Sequence, residues 1–204
     1  VKNLSTLRLN YKINKKMLLS AVASLSPSLP SLGSLSTVMQ RTDDVSANVG
    51  NADLKPYNTL SGRLQFNYNA PKIFYATATA GYSHSFNPIV YTYYYNPELN
   101  LFVNSPHNSD YYKTMYLYTK IGAKKLFEFL YISLTGNLRK QESKGIGFHH
   151  ENLNFYSSVE VQAVWEKFTM GCDFDITPAI TLYGENLTYN EMSQDVYVQY
   201  KWKD

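Results

Sequence analysis

Apolar and polar side chains alternate along much of this chain, and a period of two marks an extended strand with two unlike faces. In residues 60–68 the even positions are Leu60, Gly62, Leu64, Phe66 and Tyr68, and the odd ones are Ser61, Arg63, Gln65 and Asn67. Residues 168–176 repeat the pattern, with Phe168, Met170, Cys172, Phe174 and Ile176 against Thr169, Gly171, Asp173 and Asp175. Within residues 126–138, Leu130, Ile132, Leu134 and Leu138 oppose Ser133, Thr135 and Asn137. Residues 5–13, 17–25, 73–85, 111–123, 153–165 and 195–202 alternate too, less cleanly in 17–25 and 73–85. The spacing predicts about nine strands of roughly ten residues, long beside an ordinary strand of about 5–6. Helical periodicity is absent apart from room for one turn in residues 31–40.

The links between these segments alternate in length. Asn14-Lys15-Lys16, Asn69-Ala70-Pro71, Lys124-Lys125 and Glu166-Lys167 are tight, whereas residues 27–58, 86–110, 140–151 and 177–193 are longer excursions. A sheet with short turns at one end and long loops at the other is the plan of an outer-membrane barrel. Lipid offers no partner to a backbone amide, so strands can cross a membrane only as a closed barrel. A crossing strand needs about 9–11 residues, and no run of about 18 apolar residues exists to form a transmembrane helix. Apolar groups are dispersed rather than massed: the mean hydropathy is −0.33 although only 17% of residues are charged. Tyr11, Tyr68, Phe74, Tyr75, Tyr111, Tyr112, Phe127, Phe129, Trp165, Phe168 and Trp202 lie near strand ends. Such placement suits the two interfacial aromatic girdles of a bilayer protein.

The expected fold is therefore all-β, an antiparallel up-and-down transmembrane β-barrel in the bacterial outer membrane. Residues 1–204 belong to one barrel domain, without a plug. Nine is an odd count where single-chain bacterial barrels have even ones, and Val1 opens no charged-then-apolar leader. Both point to part of a larger barrel. The alternatives are a soluble secreted β-sandwich, serving as a carbohydrate-binding or adhesin-like module, and a passive porin.

Chemistry-bearing motifs are missing. There is no Gly-x-Ser-x-Gly elbow, no phosphate-binding glycine loop and no His-Glu-x-x-His, so no catalytic residue, enzyme activity or cofactor is expected. Adjacent His149 and His150 would point to opposite faces of a strand, which argues against a shared metal ion. The net charge of +3 is unclustered, so no nucleic-acid partner is expected. The single cysteine, Cys172, excludes an internal disulfide. Asn186-Leu187-Thr188 fits a glycosylation sequon, which has no role in a bacterial outer membrane. Tyr91, Tyr93, Tyr94, Tyr95 and Phe102 form the richest aromatic cluster, able to contact a sugar or another flat ligand, or merely to stack along a strand above the membrane. Arg63, Gln65, Asn67, Asn137, Arg139, Glu160 and Gln162 fall on polar faces and are expected to line the lumen, near ligand or plug.

The run Gly50-Asn51-Ala52-Asp53-Leu54-Lys55-Pro56 resembles the G-N-x-x-L-K-P motif of TonB-dependent outer-membrane receptors, with Tyr57 where an acidic residue is usual. The layout of residues 17–30, 75–82 and the loop bearing Asn104 and Asn108 is similar to that family as well. The resemblance implies a barrel of about 22 strands around a plug, with nutrient import energised by TonB through that plug. The motif ends an extracellular loop and leads into a descending strand. The implied partners are outer-membrane lipid and, through the full-length protein, the plug and the TonB system. A surface lipoprotein capping the loop end is a further candidate.

Overall fold

A strand that must meet lipid on one side and water on the other keeps its two faces distinct only if every neighbour holds the same register. The computed structural model of the chain describes residues 5–70, 74–145, 147–183 and 190–202. In chain order the elements are β1 (Ser5–Asn14), β2 (Met17–Ser28), one helical turn α1 (Leu32–Leu35), β3 (Gln40–Arg41), β4 (Ser46–Asn48), β5 (Tyr57–Asn69) and β6 (Phe74–Phe86). They continue with β7 (Ile89–Asn96), β8 (Leu101–Asn108), β9 (Tyr111–Leu126), β10 (Leu130–Gly145), β11 (Phe148–Trp165), β12 (Phe168–Tyr183) and β13 (Asn190–Tyr200). Nine strands form one sheet in the order β1-β2-β5-β6-β9-β10-β11-β12-β13, each antiparallel to its neighbour, with β1 and β13 at its edges. The other four form a second sheet, β3-β4-β8-β7, inside the two longest links.

The register runs unbroken through the middle of the large sheet and shifts near its ends, at Lys12/Asn14, Leu130/Ile132 and Glu151/Asn152. Leu9 opposes Ala21, which opposes Leu64, then Ala80, Leu117, Leu138 and Phe155. Burial on its two faces is the reverse of a soluble protein's. Thr79, Ser85, Thr114 and Ser133 on the polar face are buried, whereas Leu9 (59%), Ile121 (55%), Leu134 (49%) and Val198 (64%) on the apolar face stay exposed. An antiparallel sheet in water packs its apolar face on a core and wets its polar one. Only an apolar surrounding makes the observed arrangement favourable, and the β-sandwich alternative fails on it.

The height of the apolar face matches a bilayer. Along β10 it carries Leu130, Ile132, Leu134 and Leu138, then changes to Lys140, Glu142 and Lys144. The greasy part is thus near the roughly 9–11 residues of a crossing strand. Above it the charged groups find partners: Lys140 pairs with Glu151, and the Tyr111 hydroxyl donates to the Glu142 carboxylate. Phe127, Trp165 and Trp202 stand out at the tight-turn end, 75–80% exposed, and the Phe168 and Tyr200 rings pack 4.8 Å apart beside them.

Several boundaries differ from expectation. Residues 140–151, expected as a loop, belong almost wholly to β10 and β11, and β12 and β13 likewise extend into the expected loop 177–193. Above the lipid both faces are wet, so the alternation that reveals a strand fades while its backbone ladder continues. The turn expected at Lys124-Lys125 lies at residues 127–129, with positive φ at Lys125, Phe127 and Glu128. Lys124 stays in β9, where its Nζ sits 5.1 Å from the Tyr75 ring centre on the polar face. The last strand ends at Tyr200 rather than Trp202. Pro71 and the Asn186–Thr188 sequon lie outside the described residues.

Tyr75 and Tyr112, expected in the girdles, face the polar side instead. Tyr75 is opposite Gly122, Tyr116 opposite Gly81, and Tyr197 opposite Gly171. In each pair the outer part of the ring fills space that a Cβ on the glycine would occupy. The ring gains room against the wall, and the glycine backbone gains apolar cover.

Candidate functional site

The residues that could meet a ligand divide between the loop sheet and the polar face of the wall. The loop sheet joins the β2–β5 link to the β6–β9 link, and its key pairing is parallel, β4 on β8. That pairing sets Ala47 beside Val103, both fully buried, and Leu101 is buried at the far end of β8. Asp43 closes the β3–β4 turn: it accepts from Val45 N at 2.9 Å and Ser46 Oγ at 2.7 Å. The Ser46 hydroxyl, then the Val45 amide, hold its carboxyl below the ordinary 3.8.

The Gly50–Pro56 segment is the joint between the two links. Gly50 N donates to Ser36 O at 2.8 Å and Asn51 N to Ser34 O at 2.7 Å. That approach brings the Ser34 and Ser36 backbone into the space of a Cβ, so glycine is required at position 50. Asn51 accepts from Asp53 N at 2.9 Å and donates to Pro106 O at 3.1 Å, reaching the second link. Leu54 is buried. Asn108 answers from β8, accepting from Lys55 N at 2.8 Å and donating to Lys55 O at 3.0 Å and Asn87 O at 2.8 Å. Asp110 N donates to Lys144 O at 2.8 Å, which fastens the loop body to the top of β10.

Of the five aromatic candidates, Tyr91, Tyr93 and Tyr95 share one face of β7, and Phe102 opposite Tyr95 continues it on β8. Tyr94 points to the other face, opposite Val103. Tyr93 is 72% exposed, and the Tyr95 and Phe102 rings lie 5.4 Å apart. Tyr91 also lines a half-open cavity of about 400 Å³ between α1, β3, β4 and β8, where its hydroxyl meets Ser34 Oγ at 3.2 Å.

All seven polar candidates lie on the polar face of the large sheet. Arg63 and Arg139 share one row, through Gly81 and Tyr116; Gln65 and Asn137 share the next, through Thr79 and Tyr118. Asn67 follows, accepting from Gln65 Nε2 at 3.3 Å and Thr77 Oγ1 at 3.1 Å. Glu160 and Gln162 stand apart, toward the tight-turn end. Glu160 accepts from Ser133 Oγ at 3.0 Å and is opposite Asp173, itself opposite Asp195. Gln162 donates to Tyr197 Oη at 3.2 Å. Asn137 and Arg139 join Tyr112, Tyr116 and Tyr118 around a cleft of about 580 Å³. From the sequence Tyr112 is expected in a girdle, and Tyr116 and Tyr118 are assigned no role. Their even positions on β9 against Met115, Leu117 and Ile121 were the available signal, hidden because tyrosine counts as apolar in an alternation test.

A model of the outer membrane protein beta-barrel family matches residues 6–203 of the chain. No curated protein matches it.

Proposed function

Because this chain belongs to the outer membrane protein beta-barrel family and so resides in the bacterial outer membrane, we propose that it forms the wall and outer loops of a receptor for TonB-dependent nutrient uptake. One observation carries the reading. The Gly50–Pro56 segment, which resembles the receptor motif, works as a joint that folds two long links into one body. A rigid body at one end of a polar-lined wall suits capture of a scarce solute before import.

The wall extends beyond these nine strands. Direct closure would set β1 and β13 parallel, and each has an edge that lipid cannot satisfy. Further strands pair with both edges in this reading. The polar face then surrounds a plug that relays the pull of TonB, and the rows of Arg63, Arg139, Gln65 and Asn137 meet plug or solute. A surface lipoprotein resting on the loop body fits the same scheme. The chain performs no chemical step; it binds, encloses and seals.

The competing role is a passive porin, and energy dependence separates the two. Cells expressing the full-length protein are compared with and without tonB for uptake of a limiting nutrient. Uptake that falls to background in the tonB deletion is expected. Equal uptake in both strains, with channel conductance from the purified protein in planar bilayers, overturns the receptor reading in favour of the porin.

A further inference from the structure

The cavity beside Tyr91 has a chemistry of its own. Its volume of about 400 Å³ falls within the range of small-molecule sites, about 300–1,000 Å³. Ser34, Gln40, Asn48, Tyr91, Asn104 and Pro106 lie in its lining, and no residue lining it carries a charge. A charged solute would lose its hydration there without gaining a counter-charge, a cost that sites for ions avoid. Hydroxyl and amide groups instead match a solute with many neutral hydroxyls.

Two further features point the same way. Asn104 donates through Nδ2 to Asn48 Oδ1 at 3.1 Å, while its own Oδ1 is buried without a donor. An acceptor left unmet in this way is unfavourable, and a small turn of the amide toward the cavity would let a ligand hydroxyl satisfy it. The exposed rings of Tyr93, Tyr95 and Phe102 continue from Tyr91 and Asn104 along one face of the β7–β8 hairpin. Successive aromatic faces beside a hydroxyl-lined cavity form a track for successive sugar rings. The walls are fixed beforehand by Gly50, Asn51 and Asn108, which lowers the ordering cost of binding.

We propose that this cavity holds one ring of a neutral carbohydrate chain, with Asn104 accepting from a ring hydroxyl and Tyr93, Tyr95 and Phe102 supporting the neighbouring rings. The proposal rests on the receptor reading and names its solute class.

The test uses the full-length protein in detergent, titrated calorimetrically with neutral hexasaccharides derived from dextran, mannan, xylan and galactan. A hexamer of galacturonic acid is the charged control. Binding of at least one neutral hexasaccharide is expected, with the charged hexamer at least tenfold weaker. Asn104→Leu and Tyr91→Ala should each weaken it tenfold or more, and Tyr94→Ala, on the opposite face, should leave it unchanged. Limited proteolysis of the loop body checks that each variant keeps its fold; Gln40→Leu replaces any that does not and should weaken binding likewise. No binding across the neutral panel, or binding that folded variants leave intact, overturns the proposal. TonB-dependent uptake of a charged nutrient by a protein that binds no neutral hexasaccharide sinks this inference and leaves the receptor reading standing. Hexasaccharide binding with tonB-independent uptake does the reverse.

Discussion

Three tyrosines lying on three glycines tie single residues to the strength of the wall. Tyr75, Tyr116 and Tyr197 each occupy the room that a side chain would need at Gly122, Gly81 or Gly171. A methyl group at Gly81 must push the Tyr116 ring away from the wall, where it loses that contact. The atoms met are the far end of a side chain that can swing aside, so the cost falls at the low end of core overpacking, about 1 kcal/mol. Gly81→Ala should therefore destabilise the full-length protein by that amount in reversible urea unfolding in detergent micelles. The Gly81→Ala/Tyr116→Ala pair should cost clearly less than the sum of the single changes, because removing the ring removes the clash. Strict additivity would show that ring and glycine do not interact.

At the scale of the strand, β10 shows how one element serves three surroundings. Its apolar face from Leu130 to Leu138 suits lipid, its opposite face with Ser133, Thr135 and Asn137 is polar, and its last residues from Lys140 onward suit water. A lysine in place of Leu134 would sit near the bilayer midplane, at a cost of about 2–4 kcal/mol. The same substitution one residue on, Thr135→Lys, enters a polar row between Lys120 and Ser158 and should cost about 1 kcal/mol at most, through repulsion from Lys120 opposite. Folding yields into lipid vesicles, read by the slower gel mobility of heat-unfolded barrel, should separate the two variants clearly. Equal yields would mean that the two faces are not in different media.

For the whole molecule, orientation follows from the unequal ends of the sheet. Short periplasmic turns and long outer loops place Glu98, at the β7–β8 tip, outside the cell and Lys167, in the β11–β12 turn, in the periplasm. With Cys172→Ala as background, Glu98→Cys should react on intact cells with a maleimide-polyethylene glycol too large for porins. Lys167→Cys should react only after the outer membrane is opened. The opposite pattern would invert the molecule and move the carbohydrate cavity to the wrong side.

How much was legible depended on whether neighbouring residues or distant ones set the outcome. Alternation is local, so residues 60–68 and 168–176 announced their two faces, and nine strands followed with the right neighbours. The unequal links and the Gly50–Pro56 motif were equally visible, since each lies in one stretch of chain. Strand ends above the lipid were not, because no medium there demands that a face be apolar. The seats of Tyr75, Tyr112 and Tyr116 depend on which glycine or amide stands across the ladder, and the ambiguous apolarity of tyrosine conceals the side it takes. The cavity of Asn48, Tyr91 and Asn104 was the least legible: it exists only because β4 pairs in parallel with β8, 56 positions separating the two asparagines. Period and composition thus decided that the chain is a lipid-facing wall. The docking of two distant links, driven by burial of Ala47, Leu101 and Val103, decided where that wall carries a site.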